Sequence, residues 1–415
     1  MSTQRSATHE NHDRLRPEGR NATGNDGAMN LEERIRRRQR PTDEATLVTE
    51  WEPLSPVAHV EEPVNRAMVI ERVLDHFDPL FERRTPPNLY LHGPAGTGKS
   101  AVVTALCQHL DRYPISSRPV IYTTTRVAEE SPVVVYLDAR RITSEFEWYH
   151  SLLDELVEES VPERGVGTDR LETRLRTLLR DRTTKFVVAI DHFDEPTVEV
   201  ERFVERLDSL PDNLCWLAVG RTPPGATPVA ELTADAIEFD PYRQQVLTDV
   251  VMARASLGLS ENVLDHDLAR EIAERADGNA HDALTALSLA TGRAVDAGRT
   301  TITDTDIYTA FEDIPDDGVA LGRVLSLPEN RQAVLRELVD IPPDERRSVA
   351  SATRAIDPEL SLSPGTIKRF VYELAEAGVL KRIEAMTNTS QGRRPSRVEY
   401  LFPAEAFRRL YDRRQ

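Results

Sequence analysis

Eight residues, Gly93-Pro94-Ala95-Gly96-Thr97-Gly98-Lys99-Ser100, constrain the fold of this 415-residue chain more than any other stretch. They fit the spacing GxxxxGK followed by Ser or Thr, they follow the apolar, strand-length run NLYLHG, and they open a helical pattern. The glycines at 93, 96 and 98 let backbone N–H groups turn inward around an anion, and the helix start adds its partial positive charge. In that arrangement Lys99 reaches the β- and γ-phosphates of a nucleotide and Ser100 a Mg2+ ion, with Pro94, Ala95, Thr97 and the following Ala101 completing the cradle. The expectation is ATP or ADP binding with Mg2+. The alternative, a merely structural glycine turn, must place this motif by chance in a chain with only four lysines, Lys99, Lys185, Lys368 and Lys381.

Such a cradle needs a carboxylate at the tip of a neighbouring strand to hold the metal through water. The run KFVVAID, 185–191, supplies Asp191 at its C-terminal end. Asp191 and Ser100 are therefore the candidate metal ligands. In many such ATPases the next residue is a glutamate that polarises the attacking water, whereas here His192, Phe193, Asp194 and Glu195 follow. A neutral imidazole accepts a proton in principle, with a different orientation. Asp191, His192 and Asp194 form the candidate catalytic group, and hydrolysis is expected to be slow or absent unless Asp194 or Glu195 substitutes.

Around these motifs the chain divides by pattern. Residues 1–45 carry scarcely an apolar side chain and are expected to form a disordered tail, because they cannot bury enough surface to offset ordering entropy. Within it Arg34 to Arg40, RIRRRQR, is either a phosphate-contacting arm or an idle charge run. From Thr46 the pattern is globular: Ile70, Val73, Leu74, Phe77 and Phe81 recur at helical spacing. The runs VVVYLDA (133–139), KFVVAID (185–191), LCWLAVG (214–220) and AIEFD (236–240) alternate with helix-length segments. That alternation predicts an α/β domain over 46–241 with a parallel sheet covered on both faces. Helical patterns alone fill 242–314, predicting a small all-α lid. After Pro315, helices near 328–339, 344–355 and 364–377 and a hairpin from Val379 to Phe402 predict a winged helix over 315–415.

Composition narrows the function classes. The formal net charge is −18, and 48 of the 52 basic residues are arginine. An acidic surplus with lysine almost absent suits a cytosol at molar salt, where a Debye length of ~3 Å screens self-repulsion; a GC-rich coding bias is the other explanation. The two cysteines, Cys107 and Cys215, have neither disulfide-scaffold number nor zinc spacing. No stretch approaches the ~20 apolar residues of a membrane span, so a soluble, cytoplasmic, nucleoid-associated protein is expected. Charge is also uneven: residues 327–415 carry +3 and residues 1–326 carry −21, which points to nucleic acid at the C-terminal end.

In that C-terminal module Ile367, Phe370, Val371, Leu374 and Val379 form an apolar stripe, leaving Lys368, Arg369 and Tyr372 on another helix face. This is the expected recognition helix for double-stranded DNA. The hairpin turn NTSQGRRPSR carries Arg393, Arg394 and Arg397, suited to phosphate or minor-groove contact. A solvated loop on a protein-docking winged helix is the alternative.

The order of these features resembles the archaeal initiators related to the eukaryotic origin recognition complex and its helicase-loading relative, within the AAA+ ATPases. The resemblance covers roughly residues 46–411. It rests on PVNR (63–66), similar to the family's box beside the adenine, on PPNLYLHGPAGTGKS, and on VVVYLDARRIT (133–143), where Asp138 and Ala139 replace the usual Asn-Cys. It also rests on VPERGVGTDRL (161–171), similar to the initiators' DNA-contacting insert, on IEFDPYRQQVLTDVVMARA (237–255), and on DGNAHDAL (277–284) at the second-sensor position. The resemblance implies that Pro63, Arg66, Tyr242 and His281 join the nucleotide site. Three departures accompany it: His192 for the second Walker B acid, no first-sensor Asn where Gly220, Arg221, Thr222 and Pro223 follow the fourth strand, and His281 for an expected arginine. Arg206 and Arg221 are the candidates for an arginine finger.

These readings lead to an ATP-binding origin-recognition protein that binds duplex DNA and starts or regulates replication, with the replicative helicase a possible partner. The alternatives are a winged-helix transcription regulator coupled to a P-loop ATPase, a paralogue that binds ATP with little hydrolysis, and an ATPase whose winged helix docks protein.

Overall fold

The computed structural model describes residues 46–112, 132–157, 159–180, 184–195, 198–356, 360, 362–384 and 396–414. The tail 1–45, with its Arg34 to Arg40 run, and the turn residues Arg393 and Arg394 lie outside the described residues. Among the described residues no helix is long and apolar enough to cross a membrane.

Five apolar runs become strands: β1 (Leu89–His92), β2 (Val133–Asp138), β3 (Phe186–Asp191), β4 (Leu214–Val219) and β5 (Asp235–Glu238). They form one sheet in the order β2-β3-β4-β1-β5, and every pairing is parallel. The crossovers carry α1 (Ala67–Phe81, ahead of β1), α2 (Lys99–Arg112), α3 (Glu145–Leu156), α4 (Thr168–Leu178) and α5 (Val200–Asp208). Alternation along each strand feeds two separate cores, as a period of two requires. Phe186, Val188, Ile190 and Trp216 face Trp148 of α3, Leu171 of α4 and Phe203 of α5. Val187, Ala189, Cys215 and Leu217 face Phe77 of α1 and Val103 of α2. The strands are thus buried on both faces, which is why their sequences are nearly all apolar.

The helices that follow are α6 (Gln244–Gly258), α7 (His266–Arg275), α8 (Ala280–Asp296) and α9 (Asp304–Glu312). The starts of α7 and α9 are capped by side chains, Asp265 accepting from the Leu268 amide and Thr303 forming a capping box with Asp306. Beyond them come α10 (Leu321–Val324), α11 (Glu329–Asp340), α12 (Val349–Ala355) and α13 (Pro364–Glu376). The antiparallel pair β6 (Leu380–Glu384) and β7 (Ser396–Tyr400) and a last helix, α14 (Ala404–Asp412), complete the chain. The sequence reading leaves α14 without an element. It also starts α12 five residues early, because the true start is set by Ser348, whose side chain accepts from the Ser351 amide.

Packing joins what the pattern separates at residue 315. Leu268, Ile272, Leu284 and Leu287 share one continuous core with Leu335, Leu338, Phe370, Leu374 and Phe407. Leu47 and Leu54 enter the same core, so the segment 46–58 packs on α6 although the sequence reading groups it with the sheet. Its anchor is Arg254 on α6, whose buried guanidinium donates to the carbonyls of Pro53, Ser55 (2.7 Å) and Ala58 (2.8 Å). Burial pushes Arg254 down to about 10, still charged at neutral pH. Replacing it with leucine strands three carbonyls, so Arg254→Leu is expected to cost about 2–4 kcal/mol. Urea denaturation of the full chain checks this, and a loss below about 1 kcal/mol would show that the clamp is dispensable.

Candidate functional site

The sheet order places β4 between β1, which leads into the glycine loop, and β3, which ends at Asp191. The loop, the Asp191 tip and the turn after β4 therefore meet at the C-terminal edge of the sheet, where ligands bind in open α/β sheets. Gly96 and Gly98 have φ of +70° and +81°. A Cβ on Gly96 would fall 1.7 Å from Asn279 Oδ1, and one on Gly98 would fall 2.4 Å from the Tyr242 hydroxyl oxygen. Both positions need glycine for the backbone conformation and for the close approach of the helical part.

Lys99 is buried at the head of α2, followed by Ser100 and Ala101 in the first turn. Its ammonium donates to the carbonyls of Gly93 and Pro94, both at 2.7 Å, and to Thr97 Oγ1 at 3.3 Å. Burial pushes its pKa down to about 8; Asp191 and Asp194 oppose the shift, while Arg221 and Arg66 add to it. Ala95 is exposed at the crest of the loop. Arg66, which precedes α1, donates to the Thr97 carbonyl at 2.6 Å and the Asp240 carbonyl at 3.0 Å. Its guanidinium lies 3.8 Å from the centre of the Tyr242 ring, and its buried Nε has no partner. Arg66, Tyr242 and the glycine loop are thus brought together, with Pro63 three residues upstream and half-buried.

The helical part closes on the loop through α8. Asn279 caps that helix, accepting from the amides of His281 and Asp282, while the Ala280 amide donates to the Gly96 carbonyl at 3.0 Å. His281 has a different placement from the one expected. Its Nε2 accepts from the Leu321 amide at 3.2 Å, and burial pushes its pKa down to about 4. It is a neutral ring spent on α10, and cannot supply the positive charge of the arginine it replaces.

Around Asp191 the partners are close. Its carboxylate accepts from the Tyr136 hydroxyl at 2.9 Å and the His192 amide at 2.8 Å, and His192 Nε2 is 3.6 Å away. His192 has φ +60°, a left-handed conformation that costs a non-glycine residue roughly 1–2 kcal/mol. Asp194, a candidate substitute for the missing glutamate, has one oxygen that accepts from the Arg221 amide, the Thr222 amide (2.8 Å) and the Thr222 hydroxyl (3.0 Å). It anchors the turn after β4. Glu195 is buried between Arg221 (3.0 Å) and Arg323 (3.6 Å). Sequence reasoning missed Tyr136 and Asn279. The Asn-Ala-His-Asp start of α8, an N-cap residue with Asp at the third helical position, was a readable signal for Asn279; nothing in VVVYLD marked Tyr136.

At the C-terminal end, α13 buries Ile367, Phe370, Val371 and Leu374 and exposes Lys368 and Arg369. Arg369 Nε is 3.6 Å from Glu373. Tyr372 is half-buried, with the Arg382 guanidinium of β6 4.6 Å from its ring centre and Lys368 at 5.9 Å. Arg382, absent from the sequence reading, joins this surface. Arg397 donates to Glu399 at 3.1 Å. The expected insert is a loop from Val161 into α4, with Leu171 and Leu175 buried against the sheet.

Residues 62–217 match the AAA ATPase domain family. The ORC1-type DNA replication protein 1 of Archaeoglobus fulgidus is 25% identical over 239 residues, 54% of each chain. The ORC1-type DNA replication protein of Thermococcus onnurineus is 22% identical over 356 residues, 79% of this chain and 81% of that one. The chain thus spans about half of the first relative and four fifths of the second. The structure of the Aeropyrum pernix ORC1 protein in complex with DNA superposes with a TM-score of 0.56 at 19% identity, covering 89% of this chain and 98% of that one. The fold is that of the AAA+ initiator structures, and the chain is a homologue of the archaeal ORC1-type DNA replication proteins with an AAA ATPase domain.

Proposed function

We propose that this protein is an ATP-dependent origin-recognition protein that binds double-stranded DNA through its C-terminal winged helix and turns ATP over slowly. The observation that carries the reading is the junction at Gly96: the glycine loop is covered by the start of α8, whose core continues without a break into the module bearing α13. The donor set fits a polyphosphate, since Lys99 is a buried cation satisfied only by neutral oxygens and Arg66 Nε is buried without a partner. Ser100 and Asp191 would hold Mg2+, which supplies charge neutralisation of the phosphates when bound. Pro63, Arg66 and Tyr242 would flank the base. His281 acts as a fastener between α8 and α10, rather than as a phosphate ligand. A DNA-bound ORC1 of like fold supports the DNA reading, as do the exposed cations of α13. The replicative helicase remains the proposed protein partner, the nucleoid the proposed place of action, and the acidic, arginine-rich composition supports work at high salt. The domain division is kept at 46–241, 242–314 and 315–415, with the last two sharing a core.

Lys99→Ala is expected to abolish ATP binding in calorimetry while leaving the fold intact. In the parent protein the charged amine prevails below pH 8 and the neutral amine above it, and only the charged form attracts phosphate. Affinity should therefore fall on raising the pH from about 7.5 to 9.5, by up to about tenfold per unit above 8. Unchanged affinity in Lys99→Ala would remove the site.

Turnover is expected well below the ~1–100 s⁻¹ of competent phosphoryl-transfer enzymes. His192→Glu should raise it by less than the ~10²–10⁴ of a positioned general base, because residue 192 sits in a left-handed conformation against Asp191. A phosphate-release assay distinguishes these outcomes.

For DNA, fluorescence anisotropy on a duplex selected from random sequence should show binding that persists at molar KCl. Arg369→Ala should weaken that duplex more than random DNA, whereas replacing Arg393 and Arg394 together should weaken both alike. Equal losses on both duplexes for Arg369→Ala, with a steep salt slope, would count against α13 as the reading element.

A further inference from the structure

Glu195 is one buried carboxylate with two arginine partners that come from different ends of the molecule. Arg221, half-exposed on the turn after β4, pairs with it at 3.0 Å, and that turn is pinned to Asp194 through the Arg221 and Thr222 amides. Arg323 of α10, almost fully buried, approaches it at 3.6 Å through Nη1. The other terminal nitrogen of Arg323 donates to the carbonyl of Ala377, the residue that caps the C-terminal end of α13. The helix that carries Lys368, Arg369 and Tyr372 therefore ends on an arginine whose counter-charge also pairs with Arg221, on the turn after β4. Its C-terminal carbonyls are a natural seat for that cation. The short helix α10 has a second tie to the same site, because the Leu321 amide donates to His281 in the first turn of α8, next to the residue that donates to Gly96.

Arg221 pairs with Oε1 of Glu195 and Arg323 approaches Oε2, so the two guanidinium groups share one unit of negative charge. Arg221 has the freedom to leave, being half-exposed, whereas Arg323 has none, being enclosed between Glu195 and Ala377. Arg221 follows Gly220, whose amide donates to the Leu91 carbonyl of β1 at 3.0 Å, just ahead of the glycine loop, and its guanidinium pairs with Glu195. With His281 neutral and turned to Leu321, Arg221 is the cation this turn offers a terminal phosphate. We propose that Glu195 couples the phosphate site to the C-terminal module: the terminal phosphate of a nucleoside triphosphate draws Arg221, Glu195 is left to Arg323 alone, and the end of α13 is held more firmly. A nucleoside diphosphate lacks that oxygen cluster and leaves the carboxylate shared. Since coupling between two binding sites is reciprocal, DNA that requires the held α13 must also raise affinity for the triphosphate over the diphosphate.

This rests on the reading above that ATP binds at Lys99 and DNA at α13, and the test separates the two. The affinity of the full chain for the selected duplex is measured by anisotropy with a non-hydrolysable ATP analogue and with ADP, each with Mg2+, after each nucleotide and the duplex have been titrated alone. The parent protein should bind the duplex at least about fivefold tighter with the triphosphate, the lower end of ordinary coupling. Arg323→Gln should bring that ratio to about one while its ADP affinity is unchanged. Because Arg323→Gln leaves Glu195 buried with one partner fewer, the Glu195→Gln/Arg323→Gln double variant, which buries no unpaired charge, is expected to give the same ratio of one. Arg221→Gln should lower affinity for the triphosphate and spare that for the diphosphate. A ratio that survives in both Arg323 variants, or a ratio of one in a parent protein that binds both ligands, overturns the proposal. A parent protein that binds no nucleotide or no duplex in the separate titrations removes the reading beneath it and the proposal with it.

Discussion

The amide of Ala280 donates to the carbonyl of Gly96 at 3.0 Å, and that backbone contact seats the helical part on the glycine loop. It is possible only because residue 96 has no Cβ: the space a methyl group would need holds the side chain of Asn279. Asn279 in turn orders the start of α8 by accepting from two of its amides, so one asparagine both opens the helix and seats it on the loop. Gly98 and Tyr242 repeat the device one residue pair away, with the phenol resting where a larger residue than glycine would stand. The tyrosine is itself stacked on Arg66, which reaches the loop through the Thr97 carbonyl. A sheet edge, a helix start and the box ahead of α1 are thereby fixed around one short segment.

What is fixed at that contact is transmitted because the helical part is not separable from the C-terminal module. A continuous apolar core from Leu268 and Leu284 to Phe370 and Phe407 leaves no soft layer between α8 and α13. Close-packed interiors of this kind move as units. The joint that remains lies between this body and the sheet, and it is polar. Buried charges line it: Arg140, paired with Asp138 at 2.7 Å and lying against Gly322 of α10, and Glu195 with its two arginines. Buried ion pairs contribute little net stability but strongly penalise wrong partners, so a seam built from them favours a small set of discrete arrangements.

The acids at the strand tips are engaged by the protein's own groups. Asp191 accepts from Tyr136 and His192, and Asp194 is committed to the turn after β4. The next acid, Glu195, faces arginines. Of the three, Asp194 keeps one oxygen outside these bonds, while its other oxygen fixes it to the turn after β4.

The sequence by itself determined the loop, the strand that enters it, the Asp191 tip and the parallel sheet, because these depend on local rules: glycine where φ is positive, apolar runs where both faces are buried, and alternation between strand and helix. It also determined the apolar stripe of α13 and its exposed Lys368 and Arg369, since helical period alone sorts those faces. Tertiary structure alone decided which polar groups meet. The identity of Arg323 says nothing of Glu195, 128 positions earlier, or of Ala377, 54 positions later, and a histidine at 281 reads as a phosphate ligand until its ring is seen to face Leu321. The fusion of residues 242–314 with 315–415, and the return of Leu47 and Leu54 to that core, were equally invisible. A hydrophobic pattern states that a face is buried and is silent on which partner buries it.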